Sequence, residues 1–167
     1  LPETWHDYLY RLSHKNRHEL RRKLRRLEKL AGDFEIVESK IPARDIELFL
    51  SLMKKSRPEK VLFLTPERQL FFKTISVQMP PEVLDLTFLK IKKVPVAAIL
   101  GLVGDKTYYL YNSGFDPAYR HLSVGLILNA LTIKRAIKRR FKIYDFMMGD
   151  EHYKYQLGAG DEFVYNI

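Results

Sequence analysis

Gly114-Phe-Asp-Pro-Ala-Tyr-Arg120-His-Leu-Ser123-Val-Gly125 is the stretch on which the reading of this chain turns. It joins a tyrosine-rich strand predicted over 106–113 to a long helix predicted over 123–140. Ser123 is placed to N-cap that helix, and Gly125 leaves its first turn open to a ligand. The first N–H groups of a helix have no intrahelical partner, and the macrodipole puts about half a positive charge at that end. A phosphate or pyrophosphate is the natural ligand there, and Arg120 adds a cation with fork geometry. An ordinary loop and capped helix is the competing reading of the same residues.

Upstream, alternating apolar residues predict strands over 83–91, 94–103 and 106–113, the last two joined by a tight turn at Gly104-Asp105. The run 94–103 is apolar enough to be buried on both faces. Downstream, strands are expected over 143–147 and 162–167, with a short helix over 151–157. Nearer the start lie a strand over 34–38, a helix over 42–55 with Pro42 at its first turn, a loop over 56–65 and a helix over 66–79. The inward residues expected are Ile46, Phe49, Leu50 and Met53 in the first of these helices, and Leu70, Phe71, Ile75 and Val77 in the second. This order predicts an α/β (α+β) domain over 33–167, with a mixed, mostly antiparallel sheet and helices on both faces.

Residues 1–32 stand apart. Trp5, Leu9, Leu12, Asn16, Leu20, Leu24, Leu27 and Ala31 form one helical stripe, closed by Gly32. Between Arg11 and Lys29 nine Lys and Arg face two Glu, which supplies seven of the net +9 of the 167-residue chain. The prediction is a basic amphipathic helix packed on the domain, its outer face either simply solvated or binding RNA or another polyanion. The absence of cysteine excludes disulfides, thiolate zinc sites and a Cys nucleophile. The five His show no metal-ligand spacing, so no metal is expected. No apolar run approaches the ~20 residues of a membrane span. The chain begins at Leu1 without a Met, which reads as a piece of something longer.

Arg120-His-Leu-Ser123-Val-Gly125 resembles the Arg/Gln-x-x-Gly-x-Gly/Ala phosphate loop of GNAT acyltransferases, with Ser123 in place of the first glycine. Other pieces follow in order. They are Trp5-x-x-Tyr8-Leu9 and Leu12-x-x-Lys15-x-Arg17, then Pro95-Val-Ala-Ala-Ile, Gly114-Phe-Asp-Pro, Tyr144-Asp-Phe and Gly149-Asp-Glu-His-Tyr-Lys154. Together they resemble the CelD-like acetyltransferase branch of the GNAT superfamily, related to the Fem-type aminoacyl-tRNA-dependent transferases. Val124 stands where that branch often has Pro.

The resemblance implies a GNAT fold that binds acyl-CoA, acetyl-CoA first, where two strands splay before the long helix. It implies direct transfer to an amine or hydroxyl acceptor without a covalent enzyme intermediate, in the cytoplasm. Cofactor contacts fall on Arg120, Ser123, Val124, Gly125, Tyr111 and Asn112. Lys154 becomes the candidate for stabilising the oxyanion, Tyr153 for protonating the leaving group, and Asp145 for general base or partner of a cation. Asp150 and Glu151 are expected to cap the helix after them. A Fem-like aminoacyl transferase of cell-envelope synthesis, with tRNA on the basic helix, is the second expectation. In it the chain is the C-terminal half of a two-domain protein, paired with a second GNAT domain as a pseudo-dimer. A non-catalytic GNAT-fold binding module is the third.

Overall fold

The computed structural model describes residues 1–163. The expected last strand falls mostly outside the described residues, and its first two, Glu162 and Phe163, have no regular structure. Apolar alternation in the middle of the chain builds the sheet. Strands β2 (Leu84–Ile91), β3 (Val94–Gly104) and β4 (Thr107–Phe115) form the expected antiparallel meander. β1 (Phe34–Glu38) adds antiparallel to β2, and β5 (Ile143–Asp145) adds parallel to β4, giving the order β1-β2-β3-β4-β5.

Both faces are covered, which is why β3 reads as an almost unbroken apolar run. Ala97 and Ile99 point to one core, shared with Leu27 of α2 (His14–Ala31) and Ile127 of α6 (Val124–Lys138). Ala98 and Leu100 point to the other, shared with Phe49 and Met53 of α3 (Pro42–Ser56) and Phe72 of α5 (Pro66–Gln78). α3 crosses β4 so closely at Gly114 that a Cβ there would sit 2.4 Å from the Met53 nitrogen. Arg135 of α6 ties its own face to the strands. Its guanidinium meets the Asp85 carboxylate and, at 2.9 Å, the Thr87 hydroxyl of β2, and lies 3.0 Å from Glu38 of β1.

Three local expectations change. The basic stripe is two helices, α1 (Trp5–Arg11) and α2, because Ser13 accepts the Asn16 N–H at 3.2 Å and starts a second N-terminus. The expected loop at 56–65 contains α4 (Pro58–Phe63), which opens on Pro58. In α5, Phe72 and Ile75 are inside while Leu70, Phe71 and Val77 are exposed, since three consecutive apolar residues cannot all share one helical face.

α1 docks on α6 and on the segment after α7 (His152–Gln156). The buried Tyr8 hydroxyl donates to the Leu157 carbonyl at 2.7 Å, across 149 residues of sequence.

Candidate functional site

β4 pairs with β3 along its length but with β5 only at Thr107, Tyr108 and Tyr109. Beyond Tyr109 the two strands part, and a cavity of about 260 Å³ opens between them. The cause is visible in the register. Leu100 faces Asn112 and Gly101 faces Leu110, so Tyr111 is an extra residue in β4. Such a bulge bends its strand and sharpens the twist, which carries β4 away from its neighbour.

Leu110 to Ser113 and Phe115 form one wall of the cavity. Phe146, Met147, Met148, Glu151, Tyr153 and Lys154 form the other. Gly125, Leu126 and Asn129 of α6 close one side, and Arg57 and Lys60 reach in from the start of α4. Five of the nine residues singled out from the sequence therefore meet here: Tyr111, Asn112, Gly125, Tyr153 and Lys154. Arg120, Ser123, Val124 and Asp145 do not line the cavity.

Arg120 is exposed on a 3-10 turn (Pro117–Leu122) that Asp116 caps by accepting the Ala118 N–H at 3.0 Å. Val124 is fully buried. Ser123 does not cap α6 with its side chain. It sits in the left-handed region, φ 55° and ψ 36°, where the 3-10 turn meets the helix, and only its carbonyl serves α6, accepting from Ile127 at 3.0 Å. Side-chain caps need extended backbone, so this geometry removes the cap and explains why glycine suits the position. At Gly125 the missing Cβ is used by the cavity wall itself, since a methyl there would lie 3.2 Å from the Phe115 ring.

The Lys154 ammonium is buried at 5% exposure. It donates to the carbonyls of Met148 (2.8 Å), Gly149 (3.1 Å) and Met147 (3.3 Å), and pairs with Glu151 at 2.8 Å. Those acceptors exhaust its three N–H groups. They also fix a turn with positive φ at Met147 (57°) and Gly149 (110°). Glu151 precedes α7 without a side-chain cap. Burial pushes its carboxyl up, but bonding to Lys154 and the charges of Lys154 and Lys60 bring it below the ordinary value. Tyr153 packs edge-on against Phe146, and burial with the Glu151 charge pushes its phenol up to about 12. Asp145 accepts the Met147 N–H at 2.7 Å and so supports the same turn.

Four cavity residues were not read from the sequence as site groups with these roles: Asn129, Lys60, Arg57 and Glu151. Asn129 is 3% exposed. Its amide nitrogen donates to the Gly125 carbonyl at 2.9 Å, and its oxygen has no partner among the described residues. A lone amide inside the apolar run Ile127-Leu-Asn129-Ala-Leu was the available signal. Lys60 donates to Asn112 Oδ1, which also accepts the Ser113 N–H at 2.9 Å.

Residues 14–155 match the family model described as Acetyltransferase (GNAT) domain. No curated protein sequence matches the chain. Among solved structures, FemX superposes with a TM-score of 0.69 at 13% identity, over 89% of this chain and 51% of that one. An aminoglycoside acetyltransferase from an uncultured soil metagenomic sample, in complex with sisomicin, superposes with a TM-score of 0.55 at 14% identity, over 80% and 94%. A ribosomal-protein-alanine N-acetyltransferase from Brucella melitensis does so with a TM-score of 0.59 at 9% identity, over 80% and 96%. This chain thus spans about half the length of FemX and nearly all of the other two.

Proposed function

The chain belongs to the GNAT acetyltransferase domain family, and from that premise we propose that it moves an acyl group, acetyl first, from acyl-CoA to an amine or hydroxyl acceptor. The reaction takes place between β4 and the segment 146–154. What supports this reading is the parting of β4 from β5 beside the N-terminus of α6. The acceptor attacks the thioester carbonyl, the C–O dipole becomes an oxyanion, the C–S bond breaks, and the acceptor's proton passes to the solvent or the departing thiolate. No nucleophilic side chain is needed.

In this reading the first N–H groups of α6 at Val124 and Gly125 hold the donor's phosphates, with Ser123 shaping the turn and Arg120 closing from outside. Tyr111 and Asn112 guide the chain of the donor along β4. Tyr153 donates a hydrogen bond to the leaving sulfur. A phenol near 12 is a weaker acid than a thiol, so it stabilises the thiolate without surrendering its proton. Lys154 supplies positive charge to the oxyanion and must exchange one present acceptor to touch it. Asp145 acts through the Met147 turn. We place the chain in the CelD-like branch, acting in the cytoplasm where acyl-CoA is found.

Calorimetric titration with acetyl-CoA tests the reading. One-to-one binding is expected, and Arg120→Ala should weaken it by about 1–3 kcal/mol if the guanidinium meets a phosphate. No binding by the wild-type chain would overturn it.

An aminoacyl-tRNA donor with a cell-envelope acceptor is the second reading. The basic α2 packs beside the turn that carries Arg120, which would let RNA phosphates run from that helix to the cavity. A second GNAT domain would then complete the protein. Binding of bulk aminoacyl-tRNA should fall steeply with salt and vanish on charge reversal at Arg21, Arg22, Arg25 and Arg26. A flat salt response removes this reading.

A further inference from the structure

The charges around the cavity do not balance. Arg57, Lys60 and Lys154 line it, and Glu151 is the one acidic residue that does so among the described residues. Glu151 is committed to Lys154 at 2.8 Å. Neither Arg57 nor Lys60 has a carboxylate within 4.0 Å among the described residues, and the partner of the partly buried Lys60 is the neutral amide of Asn112. Burial pushes the Lys60 ammonium down from its ordinary value. Glu151 opposes that, while Arg57 and Lys154 add to it, so all four groups lie within electrostatic reach of one another. Two cations left uncompensated on a partly enclosed surface repel each other, and an anion placed between them relieves the repulsion.

That anion is not the one expected at the helix. Gly125 stands against Phe115, whereas Lys60 stands against Asn112, three residues back along β4. At the rise of a strand the backbones of Phe115 and Asn112 are about 10 Å apart, so the helix start and Lys60 address different stretches of β4. We propose that Arg57 and Lys60 form an anion subsite for the acceptor, so that the molecule acylated here carries a carboxylate or phosphate beside its nucleophile. The proposal rests on the acyl-transfer reading for the word acceptor, but the subsite itself stands on the lining charges. It separates this domain from enzymes that acylate polycationic amines, for which a cavity lined by two free cations is repulsive.

The full chain is titrated first with acetyl-CoA by calorimetry. N-acetylglycine, its neutral counterpart N-acetylglycinamide, and methyl phosphate are then titrated into the free and the acetyl-CoA-saturated chain while the arginine Nε–H resonances are followed by NMR. An anionic probe should bind saturably and shift Arg57, and the amide should bind at least about tenfold more weakly, the loss expected when a charge-assisted hydrogen bond is missing. Carboxylate and phosphate are told apart by which probe binds tighter. Lys60→Met and Arg57→Gln should each weaken the anion by a similar factor, whereas Lys60→Arg, which keeps the charge, should retain it and shows that the position tolerates change. Equal binding of acid and amide, no saturable binding of either anion, or insensitivity to both charge-removing variants would overturn the proposal. So would displacement of the anion by acetyl-CoA, which would give the pair to the donor, or acetyl transfer to sisomicin. Anion binding without acetyl-CoA binding would instead sink the acyl-transfer reading and leave the subsite standing.

Discussion

Arg135 and Lys154 are both cations held largely out of water, but by different kinds of partner. Arg135 is met by carboxylates and a hydroxyl fixed on strands: Asp85, Thr87 and Glu38. Thr87 also donates to Asp85 at 2.6 Å, so the group closes on itself. Lys154 is met by three carbonyls of one turn and by Glu151, whose side chain is 43% exposed. Removing Arg135 would strand a buried negative charge. Removing Lys154 strands three carbonyls and the carboxylate of Glu151, but that carboxylate already reaches water and a turn bearing the almost fully exposed Met148 can redirect its carbonyls there too. The first cation joins helix to sheet; the second shapes a wall of the cavity. Stability should therefore reside mainly in one and function in the other.

The largest test of that division is Arg135→Met. It leaves Asp85 unpaired at 7% exposure, and breaking such a buried pair typically costs about 3–5 kcal/mol. Urea unfolding should show that loss, while acetyl-CoA affinity of the folded protein changes little. Lys154→Met should cost less stability, about 1–3 kcal/mol for its buried hydrogen bonds. On the proposed role at the oxyanion, it should slow acyl transfer much more than it raises the Michaelis constant, because such a charge would matter in the transition state. If Lys154→Met unfolds the domain and Arg135→Met does not, the comparison is inverted.

A finer probe is Thr87→Val. It removes the hydroxyl between Asp85 and Arg135, at a cost of about 1 kcal/mol, and should leave the rate alone. The smallest effect concerns acidity. The Glu151 carboxyl lies below its ordinary value in the folded protein. Its contribution is therefore present above the unfolded value of 4.5 and lost as pH falls through the lower folded value. Following the Gly149 amide by NMR, a shift is expected in that acidic window, and Glu151→Gln should abolish it. A shift that survives the substitution would assign the titration elsewhere.

The meander, the long helix and their placement were legible because each strand carries a period of two and α6 carries a sustained apolar face. The 143–147 strand was legible in place but ends at Asp145, where the chain turns to wrap Lys154. α5 was misread at Leu70, Phe71 and Val77, since Leu70-Phe71-Phe72 offers two overlapping faces and packing against Phe49 chooses Phe72. At the site, Tyr153, Lys154 and Gly125 were found through local motifs. Arg57, Lys60 and Asn129 were not, because their meaning comes from what stands across the cavity. The cap expected of Ser123 failed for a backbone reason, the left-handed junction, that no local residue count contains.

The bond from Tyr8 to the Leu157 carbonyl bears on how the domain comes into being. The meander closes through neighbours in sequence and can pair while the polypeptide is still being made. The wall that carries Tyr153 and Lys154 finds its seat on α1 only after the whole intervening length has emerged, and such distant contacts form slowly. A ribosome-bound intermediate would accordingly own a finished meander and an unfinished cavity. Competence for chemistry would then wait until the segment through Leu157 has emerged and docked.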